Sequence, residues 1–198
     1  MSTSDTHPSL IEALRPKLVP CRIREFHADD LEACLDIHRS NEPDLLDPSG
    51  LGTVVEFLAH GTSYVLVVEQ AGKVVACAGL ELVGDANAAK LIHAMVHRDY
   101  QHRGIGTTLL AARLSLLEPE EDEPVQVLLR ARPAAAAFYG GFGFALHTLE
   151  REQGSAILRL IVTPDDIESL RAEFAQRGIE IELNPLEESQ AEDVPEGE

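Results

Sequence analysis

The spacing of apolar positions switches repeatedly between period two and period 3.6 along the chain, and each switch marks a change of element. CRIREF reads as a strand, with Cys21, Ile23 and Glu25 alternating against Arg22 and Arg24. HADDLEACLDIHRS then sets Leu31, Cys34, Leu35 and His38 at helical spacing behind an acidic start. NEPDLLDPSG breaks the period, and TVVEFLAH is a short second helix ahead of Gly61. YVLVVEQ and KVVACAGLEL are β-rich runs joined by a glycine-containing turn, a hairpin signal, and KLIHAMV is a further strand. After GIG the period lengthens again: Ile105, Leu109, Ala112 and Leu116 fall on one side of a helix ending near Glu118 and Pro119. Beyond the acidic loop EPEEDEP come the strand VQVLLRA, a helix opened by Pro133 that runs through AAAAFYGG, and the strands FALHTLE and SAILRLIV. Thr163, Pro164, Asp165 and Asp166 cap a helix carrying Ile167, Leu170 and Phe174 that stops at Gly178. IEIEL alternates as an edge strand. The order predicts a mixed α/β sheet rather than a strict βαβ repeat, preceded by an arm, residues 1–19, that carries no core.

At 198 residues and 44% hydrophobic content the chain can bury a full single-domain core. Its formal net charge of -18 argues against a nucleic-acid partner, because phosphate binding needs positive surface, and it suits a cationic ligand. Eight carboxylates and no Lys or Arg lie between Glu180 and Glu198, so the last residues read as a solvated, disordered acidic tail. The polar start MSTSDTHPSL lacks the features of a signal peptide, and no apolar run reaches membrane-spanning length; a cytoplasmic protein with no membrane partner is expected. Cys21, Cys34 and Cys77 form no CxxC pair, which suggests neither a disulfide framework nor a zinc site, and no metal is expected.

The stretch MVHRDYQHRGIGTTLL, residues 95–110, concentrates the candidate chemistry. A P-loop would need a lysine after its glycines, and a dinucleotide fingerprint would need a glycine where Leu109 stands. What remains is Gln101, His102, Arg103, Gly104, Ile105 and Gly106 between a strand and an amphipathic helix. Unpaired amides at a helix start, backed by the helix dipole, make an anion site to which glycine gives close access. An ordinary strand-to-helix turn is the competing reading.

QHRGIG after Val96, taken with the downstream AAAAFYGGFGF, resembles the GNAT superfamily of acyl-CoA N-acyltransferases: [QR]xxGx[GA] at a helix start, then AxxFYxxxGF on a later strand and helix. The matching positions are Ala135, Phe138, Tyr139, Gly143 and Phe144. The resemblance implies the GNAT fold, a mixed central sheet flanked by helices, over residues 20–162, leaving a helix-strand extension at 163–184 and the tail at 185–198. It implies acetyl-CoA as cosubstrate. Backbone groups around Met95, Val96 and His97 would pair with its pantetheine arm, the amides of Gln101, His102, Arg103, Gly104, Ile105, Gly106 and Thr107 would hold its pyrophosphate, and Phe138 and Tyr139 would lie near the thioester.

Acyl transfer needs a neutral amine, a polarised thioester carbonyl and a protonated leaving group. A backbone N–H near Val96 can polarise the carbonyl, and the Tyr139 phenol can protonate the departing thiolate; the alternative for Tyr139 is a packed aromatic that anchors its helix. Candidates for taking the amine proton are Glu81, His93 or a chain of waters. Strand alternation puts Leu91, His93 and Met95 on one face and Ile92, Ala94 and Val96 on the other. The resemblance implies that histidines serving on this strand share the face of Val96, which favours a core role for His93. Glu81, after an apolar run, is either the base, its pKa raised by partial burial, or a solvent-facing strand-end carboxylate. By the same resemblance the acceptor lies beside SNEPDLLDPSG, where Glu42, Asp44 and Asp47 could attract a cationic small molecule or a protein amine. Two readings stay open: an N-acetyltransferase acting by direct attack in a ternary complex, and a GNAT-like module that binds acyl-CoA as a sensor or interaction domain. The IEIEL segment either completes a sheet edge or pairs two copies as a homodimer.

Overall fold

The structure is a computed structural model and describes residues 9–59, 64–83, 87–119, 123–150 and 154–183; the acidic tail and residues 120–122 of the EPEEDEP loop lie outside them. Among the described residues eight strands form one sheet: β1 (Arg22–Glu25), β2 (Tyr64–Gln70), β3 (Lys73–Leu82), β4 (Ala88–Val96), β5 (Val125–Ala131), β6 (Ala145–Glu150), β7 (Ser155–Val162) and β8 (Ile181–Glu182). Their spatial order is β6-β7-β5-β4-β3-β2-β1-β8. The pairs β4–β5 and β1–β8 are parallel and the others antiparallel. The helices are α1 (Leu10–Leu14), α2 (Leu31–Ser40), α3 (Leu51–Ala59), α4 (Ile105–Ser115), α5 (Pro133–Gly140) and α6 (Pro164–Arg177). This is the mixed α/β sheet anticipated from the element order, flanked by helices as the resemblance to the GNAT fold implies.

The unbroken apolar run of β2 reflects burial on both faces of the sheet. Leu66 and Val68 enter a core shared with α1, α4 and α6, while Val65 and Val67 enter a second core under α2 and α3. Between strands and outer helices, α4 is buried almost all round, so the one-sided stripe expected of it does not describe it. The predicted cap of α6 forms: the Thr163 hydroxyl accepts from the Asp166 N–H, and the Asp166 carboxylate accepts from the Thr163 N–H at 3.0 Å. Only Ile181 and Glu182 of IEIEL pair, parallel to Ile23 and Arg24 at the sheet edge.

The arm departs from expectation. Ser9 caps α1, and Leu10, Leu14 and Leu18 are buried in the main core. Burying three leucines contributes on the order of 5 kcal/mol in transfer free energy, enough to hold a short helix that would not form alone. Polar contacts with α6 fix its position: Arg15 pairs with Glu173 at 2.8 Å, and Arg177 donates to the carbonyls of Leu18 and Arg15. The arm looked coreless because its three leucines are spread over a segment broken by Pro16, too short to show a period.

Candidate active site

β4 and β5 pair in parallel only from Ala88–Gln126 to Leu91–Leu129. Beyond that β4 runs on to Val96 and β5 to Ala131, and the strands part. A β-bulge sits at the point of parting: Ile92 faces Gly79 and Met95 faces Cys77, so His93 and Ala94 together oppose Ala78. His93 carries the bulge in a left-handed conformation, φ 46°. An extra residue bends a strand and breaks its alternation. Leu91 accordingly joins the α4 core and Met95 the α2–α3 core, so the shared face expected for Leu91, His93 and Met95 does not exist. The His93 ring stacks on Phe57 of α3 at 4.6 Å, and its pKa is lowered by burial and by nearby His38.

The gap between the parted strands opens into a cleft of about 1010 Å³. Met95, Val96, Gln101, His102, Arg103, Gly104, Gly106, Thr107, Phe138 and Tyr139 all line it, as the sequence motifs require. Gly104 (φ 84°) and His102 (φ 58°) adopt left-handed conformations just before α4, which begins without a side-chain cap. Its first amides therefore face outward as donors for an anion. Gly104 answers a second demand: a Cβ there would lie 2.6 Å from the Lys17 carbonyl oxygen. The arm packs directly on this turn, and the Thr108 hydroxyl accepts from the Val19 N–H at 2.9 Å.

Lys17, His102, Arg103, Arg113 and Arg132 contribute to the lining, with no Asp or Glu among the residues that form it. In a chain of net charge -18 this is a local inversion of sign. Lys17 rests on the Phe142 ring at 4.5 Å and Arg103 on Tyr100 at 5.3 Å, so aromatic faces rather than carboxylates hold both cations.

Tyr139 packs edge-on against Phe138 and Phe144, at 5.0 and 5.5 Å between ring centres. Behind it lies Arg113, 1% exposed. That guanidinium donates to the Leu109 and Gly79 carbonyls, both at 3.3 Å, and interacts with the Tyr139 phenol. Burial pushes its pKa down from the ordinary arginine range, an effect the neighbouring phenol partly offsets.

Other expected site residues fall elsewhere. Ile105 is buried in the core, leaving only its backbone at the helix end. His97 does not line the cleft; its N–H donates to Val75 across the sheet, and its ring accepts from the Asp99 N–H. The Val96 carbonyl accepts from Asn41 and Gln101 side chains, at 3.0 and 3.2 Å. Glu81 is ion-paired with Lys90 at 3.0 Å and also lies outside the lining. At about 3.3 Å per residue, the six residues from Lys90 to Val96 put it some 20 Å from the open end of β4. The acceptor-loop acids are engaged as well: Glu42 with His38 and Asp44 with Arg98, both at 2.7 Å, and Asp47 with Ser49. Leu45 and Leu46 reach the cleft in their place. Cys77 is no nucleophile either: the neighbouring Cys34 and burial push its thiol pKa well above the ordinary range.

Sequence reasoning missed Lys17, Asn41, Arg113 and Arg132. Arg113 did leave a signal, a lone charge inside the apolar run LLAARLSLL.

Residues 61–146 match the acetyltransferase (GNAT) domain model, a span that contains the bulge, the α4 turn and Tyr139. No curated protein matches the chain by sequence. Among solved structures, the ribosomal-protein-S18-alanine N-acetyltransferase of Escherichia coli is 24% identical, with a TM-score of 0.57 over 72% of this chain and 94% of that one. PaiA N-acetyltransferase of Thermoplasma acidophilum, solved with coenzyme A, is 16% identical, with a TM-score of 0.59 over 72% and 99%. A putative GNAT acetyltransferase of Desulfovibrio desulfuricans gives 16% and 0.62 over 72% and 99%. At these identities the likeness is one of fold. The matched segment and the fold agree: residues 61–146 match a GNAT acetyltransferase domain, and the sheet that contains them has the fold of the GNAT acetyltransferases.

Proposed function

We propose that the protein transfers an acetyl group from acetyl-CoA to a primary amine by direct attack of the amine in a ternary complex. The observation that carries this reading is the polarity of one cleft: uncapped amides and cations at the α4 start, Tyr139 facing the same space, and the apolar Leu45 and Leu46 on the far side. Acetyl-CoA supplies a thioester whose carbonyl carbon accepts the amine nitrogen. The amides from Gln101 to Thr107, with Lys17, Arg103 and Arg132, hold its pyrophosphate. A backbone N–H on the free edge of β4 polarises the carbonyl, and Tyr139 gives its proton to the departing thiolate.

The amine proton leaves to water in this scheme, because neither Glu81 nor His93 lines the cleft. A chain of waters serves where the open cleft admits solvent. Leu45 and Leu46 then flank the carbon chain of the acceptor and leave its nitrogen free to approach.

The test is a panel of amines, spanning polyamines, aminoglycosides, amino acids and peptide N-termini, assayed for released CoA thiol and for N-acetylated product. The expected result is equal amounts of both with at least one amine. Acetyl-CoA binding with no turnover on any amine would overturn the transferase reading in favour of an acyl-CoA-binding module.

A further inference from the structure

Arg113 is a buried cation whose charge meets no carboxylate: among the described residues no salt bridge includes it. Removing a guanidinium from water is costly, and arginine is rarely fully buried without a paired charge. A leucine or methionine at this point of α4 would continue the apolar surroundings of Leu109, Leu110 and Leu114 at no such cost. The position of the charge is therefore informative. The guanidinium donates to two carbonyls, that of its own helix at Leu109 and that of Gly79 next to the β4 bulge, and the positive charge so fixed raises the question of what it faces. It also lines the cleft beside Tyr139.

We propose that Arg113 is a positioning residue for proton donation: tied to Gly79 beside the bulge, it engages the Tyr139 oxygen so that the phenol proton points to the cleft, and it stabilises the phenolate left when that proton departs. The inference rests on the reading of Tyr139 as the donor. In the step concerned, the amine nitrogen has bonded to the carbonyl carbon and the carbon–sulfur bond breaks, its electron pair going to sulfur. The Tyr139 O–H bond breaks as the S–H bond forms. The phenolate negative charge then sits against Arg113, a charge-assisted contact that water cannot screen at a buried guanidinium. The acetylated nitrogen loses a proton to water, and solvent returns one to Tyr139, which closes the balance.

The same arrangement couples substrate geometry to chemistry. The bulge where β4 parts from β5 adjoins the Gly79–Ile92 pair, whose Gly79 carbonyl fixes the guanidinium.

The test is kinetic, on the full chain, with kcat and the KM for acetyl-CoA measured for Arg113→Met, Tyr139→Phe and the double variant. Arg113→Met should lower kcat roughly 10-fold and Tyr139→Phe roughly 100-fold, each with KM changed less than about 3-fold. The double variant should be no slower than Tyr139→Phe beyond about 2-fold, since both substitutions act on one proton. Multiplying losses, or an unchanged kcat in Arg113→Met, would overturn the role of Arg113 while leaving Tyr139 as donor. An unaffected rate in Tyr139→Phe would overturn both. Should Arg113→Met fail to fold, the guanidinium NMR signals of Arg113 are followed in the native chain and in Tyr139→Phe: a shift on removing the phenol oxygen supports the contact, and unmoved signals overturn it.

Discussion

On the α4–α5 side of the cleft, Lys17, Arg103 and Arg132 enter no salt bridge among the described residues, and two of them rest on aromatic rings. Across from them, on the loop after α2, Glu42, Asp44 and Asp47 are each engaged by His38, Arg98 or Ser49. One wall keeps its charge available and the other has already spent it locally. The difference teaches that a net charge of -18 does not determine what the cleft attracts. On the proposed function an anionic donor would meet these cations and the helix-start amides, and the acceptor a surface closer to neutral.

The largest effect should come from reversing the donor wall. Gly106 lies between Val96 and Phe138, where an added Cβ meets both side chains at 3.6 and 3.9 Å, ordinary contact distances. Gly106→Glu thus brings a carboxylate into the cleft with little backbone strain. A like-charge pair about 4 Å apart costs about 4 kcal/mol at an effective dielectric of about 20, so acetyl-CoA affinity should fall at least roughly 100-fold by calorimetry. Gly106→Ala, with bulk and no charge, should stay within about 3-fold of the native chain. Equal losses in the two variants would show that space, not sign, governs that wall. Gly104 is the poorer probe, because its left-handed φ and its contact with the arm would mix folding into the result.

A smaller change is expected on the other wall. Asp44→Asn removes a charge already neutralised by Arg98, so the KM for a cationic amine should change less than about 2-fold. A rise beyond about 10-fold would restore the acidic loop as an acceptor trap and abolish the asymmetry.

The smallest effect concerns stability under the α2–α3 wall. The pKa of His93 is lowered in the folded state, by burial first and His38 second, from an ordinary value of 6.5. Below pH 6.5 the unfolded chain takes up a proton that the folded one resists, so this contribution is complete above pH 6.5 and is lost as pH falls through the lowered value. The melting temperature of the native chain should therefore drop more between pH 7 and 5 than that of His93→Gln. Parallel curves would mean that His93 is as easily protonated in the fold as outside it.

How much of this was readable beforehand depended on where each signal resides. The strands VQVLLRA and SAILRLIV and the capped helix from Pro164 to Arg177 appear at the predicted residues, because alternation and capping chemistry are written in neighbouring positions. The α4 turn and Tyr139 share one cleft because their motif ties two segments together. The bulge at His93 was not legible: KLIHAMV reads as plain alternation, and only pairing with Gly79 and Cys77 exposes the extra residue. Glu81 was misjudged for a related reason. Hydrophobic neighbours in sequence suggested burial, but its cross-strand neighbour is Lys90.

The contact between the arm and Gly104 bears on modularity. The segment that matches an acetyltransferase domain, residues 61–146, holds the glycine turn before α4 but not the backbone laid over it, since Lys17 and Val19 come from 40 residues or more upstream, in an arm that α6 holds through Arg177 and the Leu18 carbonyl. Anyone grafting this cleft onto another scaffold has to carry the arm and α6 with it, for the recognisable segment and the transplantable one are different pieces of chain.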